Sequence, residues 1–142
     1  MRIQWRFLWA LMAVSHAWSG LDAAPAPVDF ARQVRPILSN KCFQCHGPDE
    51  QSRQGNLRLD LRAGLFERGD AEHRVVVAGD PDQSELIRRV AADDPDVRMP
   101  PPDSARLTDD EIALLRSWIA EGAQWPAGDE GTVPVPPKPK AE

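Results

Sequence analysis

The sequence predicts a small helical domain, and three observations carry that reading. An apolar stripe marks one helix near residue 30, and a capping box with a broad apolar face marks another near residue 110. No strands alternate with helices in the manner of an α/β sheet. Fourteen prolines in 142 residues assign much of the remainder to turn and extended loop. A core of about 100 residues is small, so a bound prosthetic group would add useful buried apolar area.

In chain order, "VDFARQVRPILSNKCFQCH" has Asp29 as an N-cap and Phe30, Val34, Ile37 and Leu38 on one apolar stripe. Pro36 removes a donor and crowds the preceding turn, which predicts a helix to about Arg35 and a further helical turn running into the cysteines. "GPDEQSRQGN" is loop by composition, and "LRLDL" alternates as a short, isolated strand would. "VVVAGDPDQSELIRRVAA" places Asp80 as N-cap, Pro81 at the first helical position and Leu86, Ile87 and Val90 on an inner face. "DDPDVRMPPPDSAR" is a proline-rich loop.

"LTDDEIALLRSWIAEGAQWP" carries the clearest helix. Thr108 and Glu111 form a T-x-x-E capping box, with Leu107 and Ile112 as its hydrophobic staple. Ile112, Leu114, Leu115, Trp118 and Ile119 cover one side, and Gly122 and Pro126 mark the stop.

The two ends differ from this middle. Residues 1–24 read as a secretory signal peptide: Arg2 and Arg6 precede an apolar run from Phe7 to Val14, with cleavage expected between residues 17 and 24. Ser15, His16, Ser19, Gly20 and Asp22 interrupt that run, which argues against a spanning helix. Residues 28–126 form the expected domain, and residues 127–142 a proline-rich tail or linker. Cleavage near Ala24 leaves 15 basic against 21 acidic side chains, a net charge of −6. That balance argues against nucleic acid and anionic membrane surfaces as partners.

Without the signal segment, the soft and nitrogenous ligands reduce to Cys42, Cys45, His46, His73 and Met99. "CFQCH" places two sulfurs and an imidazole on one helical turn, with neighbours at this spacing roughly 5–6 Å apart. Two thiols so spaced reach the two vinyl groups on one porphyrin edge, and the imidazole beside them binds the iron: this is the c-type haem attachment motif. A thioredoxin-type dithiol wants a βαβ context. A disulfide across so short a loop removes little unfolded-state entropy. A zinc site with His73 as fourth ligand is awkward, because Cys45 and His46 are adjacent. For the second axial position Met99 is the first candidate, set in a polar loop before Pro100, Pro101 and Pro102, and His73 is its competitor.

The chain resembles the planctomycete-type cytochrome c domain, related to monohaem class I c-type cytochromes. The resemblance runs from about Asp29 to Pro126 and rests on "VRPILSNKCFQCHG", "GNLRLDLRAGL", "VAGDPDQSELIRRV" and "RMPPPDSARLTDDEIALLRSWIAEGAQW". It implies an all-α fold around one covalent haem c, with the first and last helices crossing at Phe30 and Trp118. It further implies thioethers at Cys42 and Cys45, proximal ligation by His46 and distal ligation by Met99. Arg53, Arg58, Arg62, Arg74 and Arg98 are candidate partners for the haem propionates, and no spacing singles one out.

The expected function is that of an exported, periplasmic or extracytoplasmic one-electron carrier, not an enzyme by itself, working between redox partner proteins. Two alternatives come from other classes: an electron-entry module of a longer exported polypeptide with downstream domains, and a non-haem module with a zinc or disulfide knuckle.

Overall fold

The computed structural model describes residues 26–69 and 73–126. The expected signal peptide and the proline-rich tail at residues 127–142 lie outside the described residues. Among the described residues every regular element is helical. A π-helical turn, Phe30–Val34, leads into α1 (Arg35–Lys41) and α2 (Phe43–His46). Then follow α3 (Arg62–Phe66), α4 (Glu85–Val90) and α5 (Asp109–Ala120). The fold is all-α, and no helix among the described residues is long and apolar enough to cross a membrane.

Asp29 caps the first turn: its carboxylate accepts the Arg32 N–H at 3.1 Å, and Gln33 Oε1 accepts the Asp29 N–H at 2.9 Å. Pro36 does not stop the helix. The winding changes from π to α one residue ahead of it, where the Arg35 N–H bonds back to the Phe30 carbonyl. Pro36 then occupies the first turn of α1, where a missing N–H leaves no intrahelical bond unmade.

Val34 and Leu38 are fully buried, as are Leu65, Leu115, Trp118 and Ile119. The expected contact between the first and last helices is present. The Phe30 ring lies 5.5 Å from Trp118 and 4.5 Å from Trp125, and Phe66 joins the cluster edge-on to both. Trp118 Nε1–H donates to the Gln124 carbonyl at 3.1 Å, so its polar atom is satisfied inside the core. Glu121 accepts the Val28 N–H at 2.7 Å and ties the same two segments together.

Both halves of the α5 capping box form: Glu111 N–H to Thr108 Oγ1 at 3.2 Å, and Thr108 N–H to Glu111 Oε2 at 2.8 Å. Gly122 leaves the helix at φ +96°, a conformation glycine adopts without strain.

Two expectations are corrected. Helix α4 begins at Glu85, not after Asp80–Pro81. The Asp80 carboxylate instead accepts the N–H groups of Asp82 and Gln83 and closes a turn. Buried Ser84 spends its hydroxyl on the Asp80 carbonyl and the Val77 N–H, and the helix starts at the next residue. Residues 57–61 are not a strand either. Leu59 donates to the His46 carbonyl at 2.8 Å, and Leu59 and Asp60 are both buried although they are adjacent. The polar positions of the alternation form an ion pair buried at its acidic end: fully buried Asp60 receives Nε at 2.7 Å and Nη2 at 2.5 Å from the half-buried Arg58. Helix α3 passes so close to the Arg58 backbone that a Cβ at Gly64 would stand 1.7 Å from the Arg58 carbonyl oxygen.

Arg58→Met strands the Asp60 carboxylate in the interior and is expected to cost about 3–5 kcal/mol in urea denaturation. The double change Arg58→Met with Asp60→Leu removes the orphaned charge and is expected to recover much of that loss. An unchanged midpoint in the single variant contradicts the pairing.

Candidate functional site

Cys42 marks the joint between α1 and α2, with φ −123° and ψ −36°. Its carbonyl accepts the N–H of Cys45 at 3.1 Å and of His46 at 2.7 Å. One tight turn therefore gathers two sulfurs and an imidazole, and all three side chains line a single cavity of about 1060 Å³. Neither thiol is in a disulfide. Burial, with Cys45 and Glu111 nearby, pushes the Cys42 thiol up to about 12, so the sulfur stays protonated at neutral pH.

The loop after His46 is bolted onto this turn. Gln54 N–H donates to the Cys45 carbonyl at 2.7 Å, and Leu59 N–H to that of His46. His46 Nδ1 lies 3.2 Å from the Gln54 carbonyl oxygen. A carbonyl only accepts, so Nδ1 carries the proton and Nε2 keeps its lone pair for a metal. Burial lowers the His46 pKa and the Gln54 carbonyl partly offsets it, which leaves the ring neutral at neutral pH. The Arg53 guanidinium donates to the carbonyls of Gly47 and Pro48 at 3.0 and 2.9 Å, holding the start of the loop. Gly47 is required there, since a Cβ would meet the Phe43 carbonyl oxygen at 2.2 Å.

The facing walls come from elsewhere in the chain. Leu57, Leu59, Val75, Leu86, Val90 and Pro100 supply apolar surface. Met99 borders the same cavity, and its N–H is held by the Arg89 carbonyl at 3.0 Å. His73 does not join them: it is exposed and borders a separate cavity of about 250 Å³ with Asp82, Gln83, Ser84, Glu85 and Arg88. No three His, Cys, Asp or Glu side chains form a metal-binding set among the described residues, so the zinc arrangement that needs His73 is not assembled.

Of the five arginines proposed for propionates, none borders the cavity. Arg53 holds the loop, Arg58 pairs with Asp60, and Arg62 reaches Glu67 and the Phe66 ring. Arg74 offers its carbonyl to the Glu85 N–H, and Arg98 keeps a buried Nε without a hydrogen-bond partner. The cationic side chains that do border it are Lys41 and Arg89, and the acidic ones Glu85, Asp103 and Glu111. Sequence reasoning missed the Gln54 carbonyl, which leaves no side-chain signal. It also missed Glu85 and Arg89, although an i,i+4 charge pair on a helix was there to be read.

The donor set suits a covalently held haem: two thiols one turn apart, an adjacent imidazole with its metal-binding nitrogen deprotonated, a thioether on the same cavity, and apolar walls. The cavity's volume stands at the upper end of small-molecule sites, which run about 300–1,000 Å³. Comparison with known families agrees. Residues 42–103 match the model of the family described as Planctomycete cytochrome C. No curated protein and no solved structure matches.

Glu85 sits between Arg88 and Arg89, each donating at 2.6 Å, and this holds its carboxyl below the usual 4.5. A depressed folded pKa means that the pair stabilises the fold above about pH 4.5 and is lost as pH falls through the lower folded value. Glu85→Gln is therefore expected to be less stable than the parent at pH 7, with the two converging in acid. A constant stability difference from pH 7 to pH 2 contradicts that role.

Proposed function

We propose, from the match of residues 42–103 to the planctomycete cytochrome c model, that this chain is an exported monohaem electron carrier with His46 and Met99 as axial ligands. The observation that carries the proposal is the single cavity bordered by Cys42, Cys45, His46 and Met99. The family implies haem c, and Cys42 and Cys45 are the residues to hold it by thioethers.

Haem c supplies a one-electron Fe(II)/Fe(III) couple when bound. The protein's part is to hold two ligands of fixed character and exclude water. His46 presents Nε2, and the Gln54 carbonyl fixes both the tautomer and the ring's orientation. Met99 presents a soft thioether, which favours the reduced state over a second imidazole. Its loop is held by the Arg89 carbonyl at Met99 and by the Asp94 carbonyl at Arg98, and the prolines that follow have their φ fixed by their rings. Leu57, Leu59, Val75, Leu86 and Val90 give part of the cavity a hydrocarbon wall, which would keep water from that side of a bound group. A carrier of this kind makes and breaks no substrate bond. The partners of such a carrier are other redox proteins, and the leader-like residues 1–24 support their being met outside the cytoplasm.

Met99→Ala is expected to abolish the sulfur–iron charge-transfer absorption and yield a high-spin spectrum that responds to added ligands. Met99→His should stay low-spin at a lower midpoint potential. His73→Ala should match the parent. A His73→Ala variant that loses the band while Met99→Ala keeps it overturns the ligand assignment.

A further inference from the structure

Resting on that reading, we propose that Arg89 is the cavity's carboxylate-binding residue, holding a haem propionate with its head group while its backbone holds the Met99 loop. A propionate brought against a protein wall needs a charged donor, and arginine's planar fork matches a carboxylate in two parallel bonds. Lys41 and Arg89 are the cations bordering the cavity, and Lys41 Nζ is engaged by the Arg106 carbonyl at 3.2 Å.

Arg89 is held by two contacts, one on each edge of its guanidinium. Its Nε donates to Glu85 Oε1 at 2.6 Å and its Nη1 to the Val97 carbonyl at 3.4 Å. Of its five N–H groups these use two, and three remain for a carboxylate. The charge next to Arg89 is positive on balance, in a cavity wall that also carries Asp103 and Glu111. Glu85, Arg88 and Arg89 form one cluster, whose surplus is a single positive charge while Glu85 is ionised. Arg88, the other cation on Glu85, does not border the cavity.

The same residue reaches the proposed distal ligand. The Arg89 carbonyl accepts the Met99 N–H at 3.0 Å, and the Val97 carbonyl that steadies its head group lies two residues before Met99. A carboxylate on the guanidinium thus stiffens the Glu85–Arg89–Val97 bracket from which the Met99 loop hangs. Arg89 is a positioning residue for the axial thioether as well as a cofactor contact.

The test uses holoprotein whose covalent haem has first been verified by intact mass. A chain without haem refutes the cofactor reading, before Arg89 is in question. Arg89→Gln, Arg89→Lys, Arg88→Gln and Arg88→Lys are then compared by resonance Raman of the propionate-bending mode and by midpoint potential. Arg89→Gln is expected to shift the bending mode and lower the potential, since a cation that disfavours the ferric state is gone. Arg89→Lys keeps the charge but not the fork, so it shifts the mode with a smaller change in potential. It carries the test should the Gln variant fail to mature. The Arg88 variants, which disturb the same carboxylate from outside the cavity, should coincide with the parent. A bending mode unmoved by the Arg89 variants, or moved equally at Arg88, overturns the assignment.

Discussion

The 3.2 Å approach of His46 Nδ1 to the Gln54 carbonyl is the contact on which the rest of the site depends. It decides which imidazole nitrogen carries the proton, and hence which is left for a metal. It does not act alone. Gln54 N–H to Cys45 and Leu59 N–H to His46 make the loop and the CxxCH turn mutually supporting, so the carbonyl that orients the ring is positioned by the turn the ring belongs to. Arg53 fastens the loop's first residues, and Gly47 lets the chain pass Phe43 closely enough for the loop to return.

This rigid half of the site is set against a half built from more distant sequence. The contact of Phe30 with Trp118 and Trp125 joins the first helical segment to the last, and Leu86 and Val90, which form the cavity's α4 wall, belong to the same buried cluster. Polar work is concentrated in a few buried places. Asp60 under Arg58, Ser84 at the start of α4, and Trp118 Nε1 on the Gln124 carbonyl each satisfy an interior polar atom that would otherwise be costly. The core is small, so a cavity of about 1060 Å³ beside it, walled by apolar and charged side chains, is a structural commitment. Well-packed interiors hold few voids much larger than a water molecule.

How much of this was legible in advance depended on whether the signal was local. The Thr108–Glu111 box names its own start, and both of its bonds are in place. "CFQCH" encodes its geometry in its spacing, and the turn gathers its three side chains as expected. Met99 among prolines was distinguishable from a core methionine because its neighbours were wrong for a helix face. Other features were misread because the deciding partner was far away. Asp80 before Pro81 looks like a helix start, yet Ser84 takes over through Val77, seven residues back. "LRLDL" alternates like a strand, but its polar residue turns inward to meet Arg58, and its backbone donor goes to His46. The Gln54 carbonyl could not be foreseen at all, since every residue has one.

The most direct measurement is the intact mass of the purified protein, taken after acid denaturation and extraction with organic solvent. The thioether assignment predicts that the pigment stays with the polypeptide, which carries the mass of one haem and has no free thiol at Cys42 or Cys45. Pigment that passes into the solvent, or a colourless chain with both thiols titratable, would contradict it.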